Sequence, residues 1–316
     1  MDAYQTAVRH ADPTLRSGSY IGLDASALNI DFGGISNAAP RLAGDLAFRL
    51  FCLPRFSEYR SSDHMVLVRR ARVHLQGATM RRHQTSSGSV ATYELQPDGE
   101  PRGHILVVHG WTSEASFMMA LAEPLRRSGF RVVLVDCPAH GRSGGEQTTL
   151  VSCARAVVEV VDELGPFDGI VAHSMGALAG LLGGAGGSCL PHRVDFQRYC
   201  LIAAPNRFRE VTLRFANRLG VSAGARRQFE HQLSRIAHMP LHDFCGSRFL
   251  RLLRRPTLLI HGRDDMEVPF HNALEMEAVG DFVELEALDG VGHRRILFAS
   301  PVIRKVVAFM REIGPG

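Results

Sequence analysis

From about residue 90 onward, short apolar runs alternate with helix-length segments. The runs are Ile105-Leu106-Val107-Val108, Arg131-Val132-Val133-Leu134-Val135, Gly169-Ile170-Val171-Ala172, Leu201-Ile202-Ala203-Ala204 and Thr257-Leu258-Leu259-Ile260. Continuous runs of this kind, without polar alternation, mark strands buried on both faces, as in a parallel sheet covered by helices. Between them, residues 149–164 and 174–183 carry apolar positions at helical spacing. The chain closes on a helix whose Val302, Val306 and Phe309 share one face. The alternation predicts a mostly parallel, doubly wound α/β sheet.

Two stretches depart from this rhythm. Residues 206–255 contain no clear strand and read as a helical insertion between two core strands. Residues 1–87 are irregular: Gly, Ser and Asn punctuate 17–37, Leu42, Leu46, Phe48, Leu50 and Phe51 lie near helical spacing, and arginines crowd 69–82. Thr85-Ser86-Ser87-Gly88-Ser89 reads as a break. The expected organisation is therefore an N-terminal extension at 1–87, a core at 88–205 and 256–316, and a helical insertion at 206–255. The extension reads as a decoration packed on the core, with no role of its own to assign.

Composition narrows the class without deciding it. A 316-residue chain, 45% hydrophobic and 22% charged, suits one large soluble domain with additions. The net charge is +4, with Lys305 the single lysine among the basic residues. A mild balance without lysine-rich runs is weak evidence for nucleic acid, which we do not expect as a partner. The insertion holds eleven arginines against Glu210, Glu230 and Asp243. They read first as a solvated helix face, and alternatively as recognition of a carboxylate or phosphate. The six cysteines, Cys52, Cys137, Cys153, Cys189, Cys200 and Cys245, form no CxxC pair and read as buried thiols in a reducing compartment. Met1 to Pro13 has no apolar leader segment, and no run approaches the roughly 18 apolar residues of a membrane helix. A cytoplasmic protein is expected.

The strongest chemical signal is Val171-Ala172-His173-Ser174-Met175-Gly176, at a strand-to-helix junction. A serine on such a sharp turn presents its hydroxyl above the sheet, and small residues two positions either side let strand and helix approach. Alone, the string would equally suit a helix N-cap serine. A nucleophilic serine needs a base, and the base an orienting carboxylate. Downstream, the strand ending at Ile260 runs into His261-Gly262-Arg263-Asp264-Asp265-Met266-Glu267-Val268-Pro269, and Gly290-Val291-Gly292-His293 follows. The base is then His293 and the carboxylate Asp264 or Asp265, at the sheet edge where open α/β sheets place ligands. Upstream, Val107-Val108-His109-Gly110-Trp111 ends the first buried strand, and the Trp111 and Met175 N–H groups could form an oxyanion hole.

With these pieces in hand, the sequence resembles the α/β-hydrolases, in the branch of serine esterases, monoacylglycerol lipase-like enzymes and serine aminopeptidase-like proteins. The matching segments are His109 to Trp111, Asp136 to Ser143, Ala172 to Gly176, Gly262 to Pro269 and Gly292-His293, across about residues 90–312. Ala172 and Ala139 stand where the family usually has glycine. The family pattern G-x-x-D-x-x-V-P, counted from Gly262, implies Asp265 as the triad acid, and the insertion at 206–255 as the family's cap. The resemblance implies hydrolysis of a carboxylic ester through an acyl-enzyme by Ser174, His293 and Asp265, with Trp111 and Met175 as oxyanion donors. Acyl transfer or thioester hydrolysis by the same triad is the alternative, and a non-catalytic binding protein the remoter one. The partner is a small-molecule acyl ester or thioester, and no metal or organic cofactor is implied.

Other signals carry less. Gly183 to Gly187 follows a helix instead of opening one, so it reads as helix termination and not as a phosphate loop. His238 and His242 lack a third ligand, and read as cap histidines in preference to a zinc site. Phe117-Met118-Met119 suits an acyl pocket or the core.

Overall fold

The structure, a computed structural model, describes residues 31–54 and 69–314. The readings of Met1–Pro13, and of the polar punctuation before residue 31, lie outside them. Eight strands form one sheet in the order β1-β2-β4-β3-β5-β6-β7-β8. They are β1 (Thr79–Thr85), β2 (Gly88–Leu95), β3 (His104–Val108), β4 (Arg131–Asp136), β5 (Gly169–His173), β6 (Arg198–Ile202), β7 (Thr257–Gly262) and β8 (Val283–Leu288). β2 runs antiparallel to both neighbours, and the pairs from β4 through β8 are parallel.

The period of two sorts each central strand between two cores. Leu106, Val108, Ile170, Ala172 and Leu201 face one side. Ile105, Val107, Val171, Cys200 and Ile202 face the other. Each Val, Leu or Ile among them contributes about 1.5–3 kcal/mol by its burial. The first face is covered by α4 (Leu150–Leu164) and α5 (Met175–Ala185), the second by α3 (Met119–Arg127) and α11 (Ser300–Met310). Met118 and Met119 belong to the second core, which favours packing over an acyl pocket for that segment.

Three strands lack a continuous apolar run: the edge strands β1 and β8, and β2 between β1 and β4. β1 buries only His83, and β8 alternates glutamates with apolar residues. The break at Thr85 to Ser89 is the β1–β2 hairpin turn, so the boundary at residue 87 falls inside a sheet hairpin.

The sheet is preceded in the described chain by α1 (Phe32–Ala38), α2 (Pro40–Phe51) and a helical stretch at 69–73. After β6 the chain leaves the sheet through α6 (Phe208–Leu219) and α7 (Ala223–Ala237) and returns as α8 (Gly246–Leu253). The neck of this excursion is closed by Gly246 N–H to Asn206 O (2.7 Å) and Phe208 N–H to Phe244 O (3.1 Å). The excursion is therefore shorter than the strand-free stretch 206–255, because α8 returns to pack on α5 through Phe249 and Leu250. Helix α2 packs on α7, where Asp45 accepts from Gln228 Nε2 (3.1 Å) and from Gln232 Nε2. The remaining helices, α9 (His271–Glu277) and α10 (Gly292–Arg295), follow β7 and β8. No described helix is long and apolar enough to cross a membrane.

Candidate active site

Ser174 stands between the last residue of β5 and the first of α5, with φ +55° and ψ −125°. A non-glycine residue in such a region costs on the order of 1–3 kcal/mol and persists only where its surroundings hold it. Here Ser174 N–H donates to Ile202 O (2.8 Å), and Ser174 O accepts from Ala177 N–H (3.0 Å). Gly176 explains the demand for a small residue. A Cβ there would lie 2.2 Å from His109 O, so the glycine is required by close approach to the β3 loop. Gly110 meets the elbow from the other side, since a Cβ on it would sit 3.0 Å from Ser174 Cβ.

His293 is carried by α10, and its Nδ1 donates to Asp265 Oδ2 at 2.7 Å. Asp265 Oδ1 accepts from Glu267 N–H and Val268 N–H, both 2.8 Å. His261 Nε2 donates to Val268 O (2.8 Å) and lies 3.5 Å from Asp265 Oδ2. Burial alone pushes the Asp265 carboxyl up, but the histidines and the Val268 N–H outweigh it and hold it well below the usual carboxylate range. Asp264 is exposed and only reaches the Gly292 N–H, at 3.4 Å.

His173, beside the serine, was not singled out by sequence reasoning. Its ring lies 4.8 Å from that of His293, and its Nε2 donates to His293 O at 3.0 Å. Burial, and then the neighbouring His293, push it well below the ordinary histidine value. A neutral His173 thus holds the backbone of His293 in place beside the elbow. Ser174 Oγ is buried and makes no hydrogen bond to a described residue, His293 included. Such contacts are often long before substrate binds.

The loop after β3 faces the N-terminus of α5, whose first N–H groups have no helical acceptor. Cys137 N–H donates to His109 Nε2 (3.0 Å), so His109 Nδ1–H donates to Gly110 O (2.7 Å). The peptide plane is rigid, so fixing Gly110 O also fixes the opposite direction of the Trp111 N–H. Asp136, at the end of β4, ties the neighbouring segments together. It accepts from Ala115 N–H, Arg142 N–H and Tyr93 Oη, each at 2.8 Å. The Asp136 to Ser143 motif is thereby explained as scaffolding. Ala139 within it has φ +64°, which is why glycine is usual there.

The site is roofed. Ser174 is 1% exposed, His293 5% and Trp111 9%. Trp111 stacks on Phe51 of α2, which makes edge contacts with Phe208, Phe215 and Phe229 of α6 and α7. A small cavity beside Trp111 is lined by His109, Gly110, Met175, Gly176, Cys137 and Cys153 among others. Of the eleven arginines at 206–255, Arg207, Arg209, Arg226, Arg248 and Arg255 pair with carboxylates. The described residues hold no group of three or more His, Cys, Asp or Glu placed for a metal ion.

Residues 105–304 match the model of the alpha/beta hydrolase family. A monoacylglycerol lipase of Mycolicibacterium smegmatis is 32% identical over 77 residues, 24% of this chain and 26% of that protein. The chain thus matches about a quarter of that relative's length. Among solved structures, Est1E of Butyrivibrio proteoclasticus, with ferulic acid bound, superposes with a TM-score of 0.59 at 18% identity, covering 74% of this chain and 98% of that one. The esterase Pf2001 of Pyrococcus furiosus gives 0.56 at 20% identity, covering 75% and 92%.

Proposed function

The chain belongs to the alpha/beta hydrolase family, and on that premise we propose that it is a serine hydrolase cleaving a carboxylic ester through an acyl-enzyme. The observation that carries this reading is the His293–Asp265 bond of 2.7 Å beside a serine held at φ +55° on a strand-to-helix elbow. Ser174 Oγ attacks the ester carbonyl carbon while His293 Nε2 takes its proton. The negative charge on the carbonyl oxygen is held by the Trp111 and Met175 N–H groups, aided by the positive end of α5. Collapse expels the alcohol, which receives the proton from His293. Water, deprotonated by the same nitrogen, then releases the acid and restores Ser174. Asp265 keeps the Nδ1–H tautomer and stabilises the imidazolium formed in each half-reaction.

The cap helices and α2 cover the site through Phe51 and its aromatic partners, and the substrate is a small-molecule acyl ester. Acyl transfer or thioester hydrolysis uses the same residues, and diversion of the acyl group to added alcohols or amines distinguishes transfer from hydrolysis. Six unpaired thiols support a cytoplasmic setting. Fluorophosphonate labelling tests the reading. Wild-type protein should label stoichiometrically, and Ser174→Ala should lose both labelling and turnover while keeping its thermal transition. A Ser174→Ala protein with normal ester turnover would exclude the proposal.

A further inference from the structure

The family match begins at residue 105, yet the loop that faces Ser174 is gripped from well before it. That loop leaves β3 at Val108 and reaches a short helical turn at Ala115. At its centre Thr112 has φ +55°, a conformation that a β-branched residue rarely adopts and that survives only when held from both sides.

On one side is Trp111, its indole stacked on the Phe51 ring at 5.7 Å with 22° between planes. Phe51 is 2% exposed and cannot swing away, because Phe215 and Phe229 close on its edge at 5.1 and 5.3 Å. On the other side is Glu114, 2% exposed, bound by both arms of the Arg72 guanidinium: Nε to Oε1 at 2.8 Å and Nη2 to Oε2 at 2.6 Å. Ser116 Oγ adds a third bond to Glu114 Oε1 at 2.6 Å. Burial alone pushes the Glu114 carboxyl up, but the Arg72 and Ser116 bonds outweigh it and keep it below the usual range. A two-armed guanidinium fixes a carboxylate in orientation as well as in place.

We propose that Phe51 and Arg72 are positioning residues of the hydrolase: from the N-terminal segment they clamp the loop Gly110–Ala115 at its two ends and aim the Trp111 N–H at the oxyanion. This rests on the serine-hydrolase reading above. The N-terminal segment is then part of the working site, not a decoration on it. Its contribution is realised in the transition state, because the donor it aims meets full negative charge only there.

The test uses the full chain with p-nitrophenyl butyrate as probe. Wild type, Arg72→Met, Arg72→Lys and Phe51→Leu are titrated to completion with a fluorophosphonate, so that kcat is expressed per competent site. Arg255→Met is the control: it breaks an exposed two-armed ion pair of the same kind, to Asp195, just before β7 and so at the sheet edge opposite the loop. Arg72→Met and Phe51→Leu should each lower kcat by roughly 10–100-fold, the range expected for a donor displaced by up to an ångström. Their KM should stay within about threefold, while inhibition by a trifluoromethyl ketone, which forms the oxyanion on Ser174, weakens by the same factor as kcat/KM falls. Arg72→Lys, which keeps the charge but not the fork, should fall between wild type and Arg72→Met. Unchanged kcat per titrated site in both variants would overturn the clamp, as would an equal loss in Arg255→Met at matched thermal stability. A wild-type protein that hydrolyses the probe without labelling would sink the serine-hydrolase reading itself, and the clamp with it.

Discussion

Replacing Asp265 by asparagine changes one oxygen to a nitrogen, and the bonds around it decide which one. Oδ1 accepts from two backbone donors, the Glu267 and Val268 N–H groups, both at 2.8 Å. An amide nitrogen there would oppose two hydrogens at once, so the surviving oxygen must stay on that side. The new NH₂ therefore faces His293 Nδ1, now 2.7 Å from Oδ2. Two donors cannot share that line, so His293 must carry its proton on Nε2. In that tautomer the nitrogen that should take the Ser174 proton is already occupied. Loss of the carboxylate's correct tautomer in a triad costs about 10⁴-fold in kcat, or about 5.5 kcal/mol at 1.36 kcal/mol per tenfold. Asp264→Asn alters an exposed group whose bond to Gly292 N–H is 3.4 Å long, and should change turnover less than about threefold, as an exposed, weak contact allows. The assay is kcat/KM on p-nitrophenyl esters for both variants, with thermal melts to verify folding. Retention of more than a tenth of wild-type activity by Asp265→Asn, or an equal loss in Asp264→Asn, would refute the reasoning.

Two further perturbations read the same geometry. Gly176→Ala sets a Cβ 2.2 Å from His109 O, so the elbow and the loop after β3 must part by roughly an ångström, and kcat should fall about 100-fold; unchanged turnover would mean that the elbow tolerates this shift. His173 is held well below the ordinary value near 6.5, so the unfolded chain binds the extra proton. Its contribution to stability is present above about pH 6.5 and is lost as pH falls, with a slope of about 1.4 kcal/mol per pH unit for one proton. Thermal or urea melts from pH 8 to 5 should show this limb in wild type and a shallower one in His173→Gln; equal slopes would exclude His173 as its source.

What could be read from the chain follows from how local each signal is. Five central strands announced themselves because burial on both faces leaves an unbroken apolar run, as in Ile170 to Ala172 of the fully buried β5 and Leu258 to Ile260 of β7. β1 and β8 did not, because an edge strand is wetted and its arginines or glutamates erase the apolar run. The elbow, the acid loop and the histidine turn were legible for a different reason. Each is a short string whose glycine or carboxylate meets a backbone demand within a few residues, as Asp265 does with the N–H groups of Glu267 and Val268. The end of the helical excursion was less legible. α8 has the composition of its neighbours, and only its packing on α5 returns it to the core.

The N-terminal segment lies at the far end of this scale. Arg72 finds Glu114 across 42 positions, and Phe51 finds its aromatic partners in a cap that begins after β6. Neither residue sits in a pattern that names its partner: one is an arginine among arginines, the other the last apolar position of a short amphipathic helix. The information that makes them functional is held jointly with Trp111 and Glu114, whose own strings describe a loop but not what holds it. A strained loop such as the one through Thr112 nevertheless implies its own restraints, because the unfavourable conformation relaxes unless neighbouring groups oppose it. Where a family motif demands such a conformation, the residues that hold it must exist, and those that lie outside the motif are the ones a motif search passes over.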